Sequence, residues 1–299
     1  MVSTGEPANA SIAQAEAVPS NRLVLAQLLL PATAALAVFF VLPLIWLFRM
    51  SFNRGLDTGV IESALTLDNY REFITDRFYL EELVRTVVLG VVITVLTLIA
   101  TYPIALFLAR SRSRWRGVLV ALAIAPLLTS TVVRTYGWLV ILGNDGLVNS
   151  AMVGIGFIDA PIRLINNQTG VLIGLVEILM PYMALGLLSG FGRINPDLEE
   201  AAMSLGAGPF RAFWRVTLPL SVPGIATGCL LVFVLTISSF VTPQLLGGGR
   251  VFLMATEIYD QATYTLDWPL AAAISFILLV LFGVVIAVYT RILRRIESQ

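Results

Sequence analysis

Six runs of apolar residues, each long enough to cross a bilayer, fix what this 299-residue chain can become. About 20 predominantly apolar residues carry a helix across the hydrocarbon core. Such runs occupy about 24–48, 84–109, 117–142, 170–190, 221–243 and 269–290. Composition agrees, with 58% hydrophobic residues, a mean hydropathy of +0.88 and only 13% charged residues. A soluble domain carries roughly 25% charged residues, so lipid has to be the solvent for much of this chain. The expected fold is an all-α integral membrane protein with six transmembrane helices. The first run, Leu23–Leu47, outlasts the roughly 7–15-residue core of a cleaved signal and lacks a small-residue cleavage site. It reads as a retained anchor behind a tail at 1–22.

Arginine placement sets the orientation. The stretch Arg110-Ser111-Arg112-Ser113-Arg114-Trp115-Arg116 has four positive charges and no acid, and Arg291, Arg294 and Arg295 follow the last run. The positive-inside rule puts both termini and the loops at 110–116 and 191–220 in the cytoplasm. The loops at 50–83, 143–169 and 244–268 then face outward, the first with Asp57, Glu62, Asp68, Glu72 and Asp76. Prolines interrupt the first run (Pro31, Pro43), the third (Pro126) and the fourth (Pro181). Each removes a backbone donor and frees a carbonyl four residues earlier, which in lipid must find a partner in protein or water. A polar path through a bundle and simple helix kinks both accommodate this.

Several chemistries are excluded. All nineteen basic residues are Arg, and His is absent. A phosphate-cradling P-loop needs Lys, and zinc catalysis or Ser-His and Cys-His nucleophiles need His. No catalytic residue, metal site or cofactor of this chain is therefore expected. The lone Cys229 lies in an apolar run and reads as a small packed hydrophobe.

The segment from Asn195 to Pro219 is the most informative. Asn195 is a fit N-cap, Pro196 a first helical residue, and Asp197, Glu199 and Glu200 are first-turn acids. Gly206 stands where a left-handed C-terminal cap is expected, and Gly208-Pro209 opens a second short helix through Arg211 and Trp214. Between the caps, Leu198, Ala201, Ala202 and Leu205 form one apolar stripe on a helix too short to span a membrane, with Glu200 and Ser204 opposite. A helix lying on lipid favours a basic polar face and bulky apolar residues. This one has acids and alanines, which suits close docking on another protein.

Glu200-Ala201-Ala202, Gly206, Val216, Leu218 and Pro219 resemble the EAA signature of ABC-importer permeases, EAA-x3-G-x9-I-x-LP, with Val for Ile at 216. The resemblance covers about residues 20–295 and is nearest the spermidine/putrescine permeases, first-subunit type. Pro126–Trp138, Met180–Met183 and Phe240–Gly248 carry it. One departure is Ser238-Ser239, where polyamine permeases commonly have an acid before the Phe.

The resemblance implies a type I ABC importer permease in a bacterial inner membrane. Its parts are a tail at 1–22, a first span and external loop at 23–83, and a permease domain at 84–291. That domain holds the EAA loop at 195–219, and a tail at 292–299 follows. Glu200, Ala201, Ala202, Leu205, Gly206, Val216, Leu218 and Pro219 would form the coupling element. The implied partners are ATPase subunits that bind ATP, a second and different permease chain, and a periplasmic solute-binding protein. No nucleic-acid partner is expected. The cargo would be spermidine, putrescine or a related small polar solute such as an opine. An ion-gradient-driven carrier or channel is the rival class, although no inverted repeat is visible.

Two charges fall inside expected spans. Glu177 lies about seven residues from the outer end of the fourth, on the order of 10 Å deep at ~1.5 Å per residue, and Arg134 lies at similar depth in the third. Each costs at least ~2.5 kcal/mol unless paired or hydrated. Matched depth suits an Arg134–Glu177 pair, while Glu177 could instead meet a cationic solute. Ser239 and Thr242 complete the candidate path. Tyr136, Trp138 and Trp268 lie near span ends and read as interface anchors.

Overall fold

The computed structural model describes residues 22–56, 59–195 and 197–297, with side chains from 29 to 291. The tail at 1–21, Asp57 and Pro196 lie outside the described residues, as do the side chains of Arg294 and Arg295. The chain divides into two units, 1–49 and 50–299.

The first unit carries α1 (Arg22–Leu36), a π-helical turn at Ala37–Val41 and α2 (Leu42–Met50). The stretch Leu29–Met50 is long and apolar enough to cross a membrane, as expected. The π turn has a local cause. Pro43 cannot donate and its ring crowds the carbonyl four residues back, and a widened turn relieves that clash.

The second unit opens with two-residue antiparallel strands, β1 (Arg54–Gly55) and β2 (Ile61–Glu62), then α3 (Asp68–Thr75). A 34-residue helix, α4 (Arg77–Arg110), follows. It starts at Arg77 instead of near 84 because Asp76 caps it, accepting from Phe78 N–H at 2.8 Å. Next come α5 (Arg116–Ile124), a 3-10 turn at Ala125–Leu128, α6 (Thr131–Leu142) and α7 (Leu147–Gly154). The run at 117–142, expected to be interrupted at Pro126, is broken there, and its two arms meet at 95°. Pro126 ends the helical ladder, and Thr129 and Ser130 take extended backbone.

The rest comprises α8 (Gln168–Phe191), α9 (Asp197–Ser204), α10 (Pro209–Ala212), a π turn at Phe213–Thr217 and α11 (Leu218–Ile237). Then follow α12 (Val241–Gly247), α13 (Met254–Thr263) and α14 (Trp268–Glu297). The second π turn stands to Pro219 as the first stands to Pro43. Span five ends at Ile237 and not near 243, since Ser238–Phe240 leaves the helix before α12. Among the described residues five helices and one bent pair can cross a membrane, which agrees with six spans.

The core of this unit is the α4–α8–α11 packing. Leu89, Ile93 and Ala105 of α4 meet Leu175, Leu179, Met183 and Leu187 of α8 and Val232 of α11, all buried. A second cluster joins Phe73, Tyr79 and Met254 to Leu270, Ile274 and Leu278 of α14. Between α8 and α11 the backbones touch through two glycine pairs. A Cβ on Gly186 would lie 2.5 Å from Gly228 Cα, and one on Gly190 would lie 2.5 Å from Gly224 Cα. Each helix thus offers glycines four apart to the other, the small-residue spacing that lets membrane helices approach without a hydrophobic drive between them.

Gly190→Val and Gly224→Val are expected to force the helices apart, costing roughly 1–3 kcal/mol or more. Gly137→Ala, with nothing within 4 Å of the added carbon, serves as the control. Thermal unfolding in detergent should fall for the first two and hold for the third.

Candidate functional site

Three places in the second unit concentrate polar chemistry. The first is the loop between α8 and α11. Asn195 Oδ1 accepts from Asp197 N–H at 3.0 Å and starts α9. The helix ends on Gly206 at φ +91°. Gly206 N–H donates to Met203 O at 2.9 Å and Ala207 N–H to Ala202 O at 3.1 Å, the double closure of a Schellman cap. Both caps are where the residue types put them. Leu205 is 90% exposed, and Leu198, Phe210 and Trp214 are exposed as well. An apolar face therefore stands uncovered on α9 and α10, with Ala201 exposed and Ala202 half-buried on it.

The inner side of α9 is held by charges that the sequence reading did not single out. Arg110, the last residue of α4, pairs with Glu199 and donates to Thr217 Oγ1 at 2.8 Å. Arg112 lies 3.6 Å from Glu200, both largely exposed. Arg116 Nε donates to Leu108 O at 3.0 Å, which closes the α4 C-terminus. The available signal was the alternating arginines at 110–116 facing consecutive glutamates, but two distant loops give no register. Val216 lines the same region with Met203 and Thr217, and Leu218 and Pro219 begin α11.

The second place lies within the spans. Arg134 of α6 and Glu177 of α8 meet at 2.6 Å, and Trp138 Nε1 donates to the other Glu177 oxygen at 3.0 Å. Trp138 is thus part of a polar cluster and not only an anchor, whereas Tyr136 and Trp268 are exposed at 54% and 49%. Arg134 also answers backbone carbonyls. It donates to Glu177 O at 3.2 Å, the carbonyl released by Pro181, and to Pro126 O at 3.4 Å. Thr242 is fully buried, and its hydroxyl lies 3.1 Å from that of Thr135. It packs α12 against α6 and opens to no surface. Ser239, half-exposed at the break after α11, makes no hydrogen bond or ion pair with Arg134 or Glu177.

The third place was read as an external loop. Glu82 is 2% exposed, and neither carboxylate oxygen has a hydrogen-bond partner. Glu257 of α13, 6% exposed, accepts from Gln261 Nε2 at 2.7 Å. Burial, reinforced by Asp260, pushes the Glu257 carboxyl above the ordinary range, and burial does the same to Asp260. Among the described residues no three such groups converge to hold a metal ion. Glu82 escaped the sequence reading because span two was begun at 84, two residues too late to include it.

Residues 101–298 match the family model described as binding-protein-dependent transport system inner membrane component. The spermidine/putrescine transport system permease protein PotB of Escherichia coli (strain K12) is 34% identical over 264 residues, covering 88% of this chain and 96% of that protein. The protein of the same description from Haemophilus influenzae is 34% identical over 255 residues, covering 85% and 89%. A solved bacterial ABC transporter involved in the import of the acidic polysaccharide alginate has a chain matching at TM-score 0.74. That chain is 19% identical, with 91% of this chain and 96% of its own length covered.

Arg134→Gln or Glu177→Gln alone strands a partner charge inside the spans and should lower thermal stability. The double replacement should recover much of that loss, because stranding and not pairing dominates the cost. For Glu257 the sign is set by its raised folded pKa. The folded state holds the proton more tightly, so stability is full below the ordinary carboxylate range and is lost as pH rises through the raised value. Lowering the pH from about 8 to about 5 should therefore raise the melting midpoint, and Glu257→Gln should shrink that rise. A rise of equal size in the variant would remove Glu257 as its source.

Proposed function

The chain belongs to the family of binding-protein-dependent transport system inner membrane components, and from that premise we propose a polyamine, or a related small polar solute such as an opine, as its cargo. It is a multi-pass permease subunit of an ATP-binding cassette importer with the type I fold. The polyamine reading is supported by relatives of that description matched along nearly the whole chain. Ser238-Ser239 in place of an acid leaves less negative charge there than a polyamine path would use, which is why the related solutes stay in the proposal.

The observation that carries the coupling role is the capped helix α9 with its uncovered apolar face. Ala201, Ala202 and Leu205 would enter a groove of a separate ATPase subunit, Gly206 would fix the turn, and Glu200 would face that partner. Val216, Leu218 and Pro219 would carry the movement into α11. ATP would be bound and hydrolysed in that partner, and this chain would perform no catalysis. A second, different permease chain would complete the pathway, and a periplasmic binding protein would deliver the solute. Both termini and α9 would lie in the cytoplasm. The permease domain would run over 84–291, after the first span and external loop at 23–83. Along the path, Arg134 and Glu177 would form a polar ledge beside Trp138, with Ser239 at the mouth of α11 and Thr242 holding α12 in place.

Cysteines at 201 or 205 should cross-link to the ATPase subunit in membranes. Proteoliposomes holding both permeases and the ATPase should take up labelled spermidine only with ATP and the binding protein, and Glu177→Gln should reduce that uptake several-fold. Uptake by this chain alone, abolished by an ionophore, would sink the reading. Uptake of an opine but not of spermidine would move the cargo to the related solutes.

A further inference from the structure

An open pocket lies beneath α9. A cavity of about 460 Å³ separates α9 from the ends of α4 and α8, lined by Leu106, Ala109, Phe191, Met203 and Val216 with the arginines at its rim. Apolar packing therefore does little to tie α9 to the spans below it. Displacement needs a connection that resists both compression and separation, and a void between side chains supplies neither. What crosses the gap is charge. Arg110 reaches from the end of α4 to Glu199 on α9, and the same guanidinium donates to Thr217, one residue before α11.

We propose that Arg110 is the strut through which displacement of α9 reaches the spans, with Glu199 as its seat on α9 and Thr217 as its seat on α11. The inference rests on the docking role proposed above and adds a positioning residue to it. Three features favour Arg110 over its neighbours. Its Nη2 reaches acceptors on two different elements, Glu199 Oε2 on α9 and Thr217 Oγ1 beside α11, which neither neighbouring arginine does. Glu199 is 21% exposed and Arg110 43%, whereas Arg112 and Glu200 are 90% and 64% exposed and 3.6 Å apart. An exposed, loose pair contributes little. Arg116 is engaged with a carbonyl of its own neighbourhood, Leu108 O. Consecutive glutamates therefore divide the work. Glu199 is held by the strut, and the more exposed Glu200, loosely paired with Arg112 at the pocket's rim, is left for a partner.

The connection also has the right endpoints. The α4 helix is 34 residues long and runs from Arg110 back to Arg77. From Thr217 a helix runs to Ile237, two residues before Ser239. Near the cytoplasmic end the two helices are further tied by Tyr102 and Ser221, whose hydroxyls lie 3.0 Å apart. A push on Glu199 is thus delivered to two long helices already fastened together.

The test uses the whole importer in proteoliposomes. Cys229→Ala removes the native thiol and Ser239→Cys places a reporter at the far end of α11. Labelling by a membrane-impermeant maleimide is then measured with and without ATP plus vanadate. In this parent, nucleotide should change the labelling rate, and the ATPase subunits should co-purify. Arg110→Glu and Glu199→Arg should each shrink the nucleotide response by roughly fivefold, the size expected for losing a pair of this kind, while co-purification persists. The double reversal Arg110→Glu/Glu199→Arg should restore it; a loss of response with co-purification intact is what a purely structural role would not predict. Glu199→Gln is the milder variant should a reversal block membrane insertion, and it should shrink the response in the same direction. An undiminished response in the single variants, or no recovery in the double, overturns the strut and leaves docking intact. Failure of the parent to co-purify with ATPase subunits overturns docking and the strut together.

Discussion

A carbonyl released by a proline inside a span has no water to bond, so the protein has to answer it. Glu177 O, one turn before Pro181, is such a carbonyl, and the guanidinium that answers it also reaches Pro126 O at the break in the third span. Thr129 also donates to Pro126 O through both its hydroxyl and its backbone N–H. The Arg134–Glu177 pair is therefore more than a charge neutralised. Arg134 is fixed by backbone acceptors, and Glu177 is fixed in turn by Arg134 and Trp138. The break in the third span and the deep polar cluster are two views of one constraint.

That cluster needs a rigid floor, and the α8–α11 contact supplies it. Glycines four apart on each helix bring backbone onto backbone, leaving no side chain between them to change rotamer. Gly90 of α4 closes the third side, where an added carbon would lie 2.9 Å from Phe233 and Ile237 of α11. The helices α4, α8 and α11 thus share close contacts made by absent side chains, and polar groups can then be placed around them without the spans sliding apart.

How much of this the sequence discloses depends on the range of the interaction. Local chemistry was legible. Asn195 and Gly206 cap α9 as their residue types demand, and Pro43, Pro126 and Pro219 accompany a widening or a stop, whereas α1 and α8 run on through Pro31 and Pro181. Depth matching also brought Arg134 and Glu177 together, since two charges at one level of lipid have few alternatives. Chain direction after a break was not legible. Pro126 signals interruption, but a 95° bend depends on what α6 packs against. Burial of Glu82 was missed because helix start and membrane edge were treated as one boundary, while α4 begins outside the apolar run. The Glu199 seat was missed because its acid already had an adequate local explanation, the favourable first turn of a helix.

That last omission bears on how the molecule works. A first-turn glutamate stabilises its own helix wherever its side chain points, so the dipole argument alone leaves Glu199 and Glu200 equivalent. Tertiary structure separates them. Arg110 sits under one and takes it out of circulation, and the other, beside an exposed and loosely held Arg112, remains available. Were both paired inward, α9 would offer a partner no glutamate. Were both free, α9 would lose its charged tie to the end of α4. One glutamate held and one offered lets an eight-residue helix be gripped from outside while remaining attached to the spans behind it.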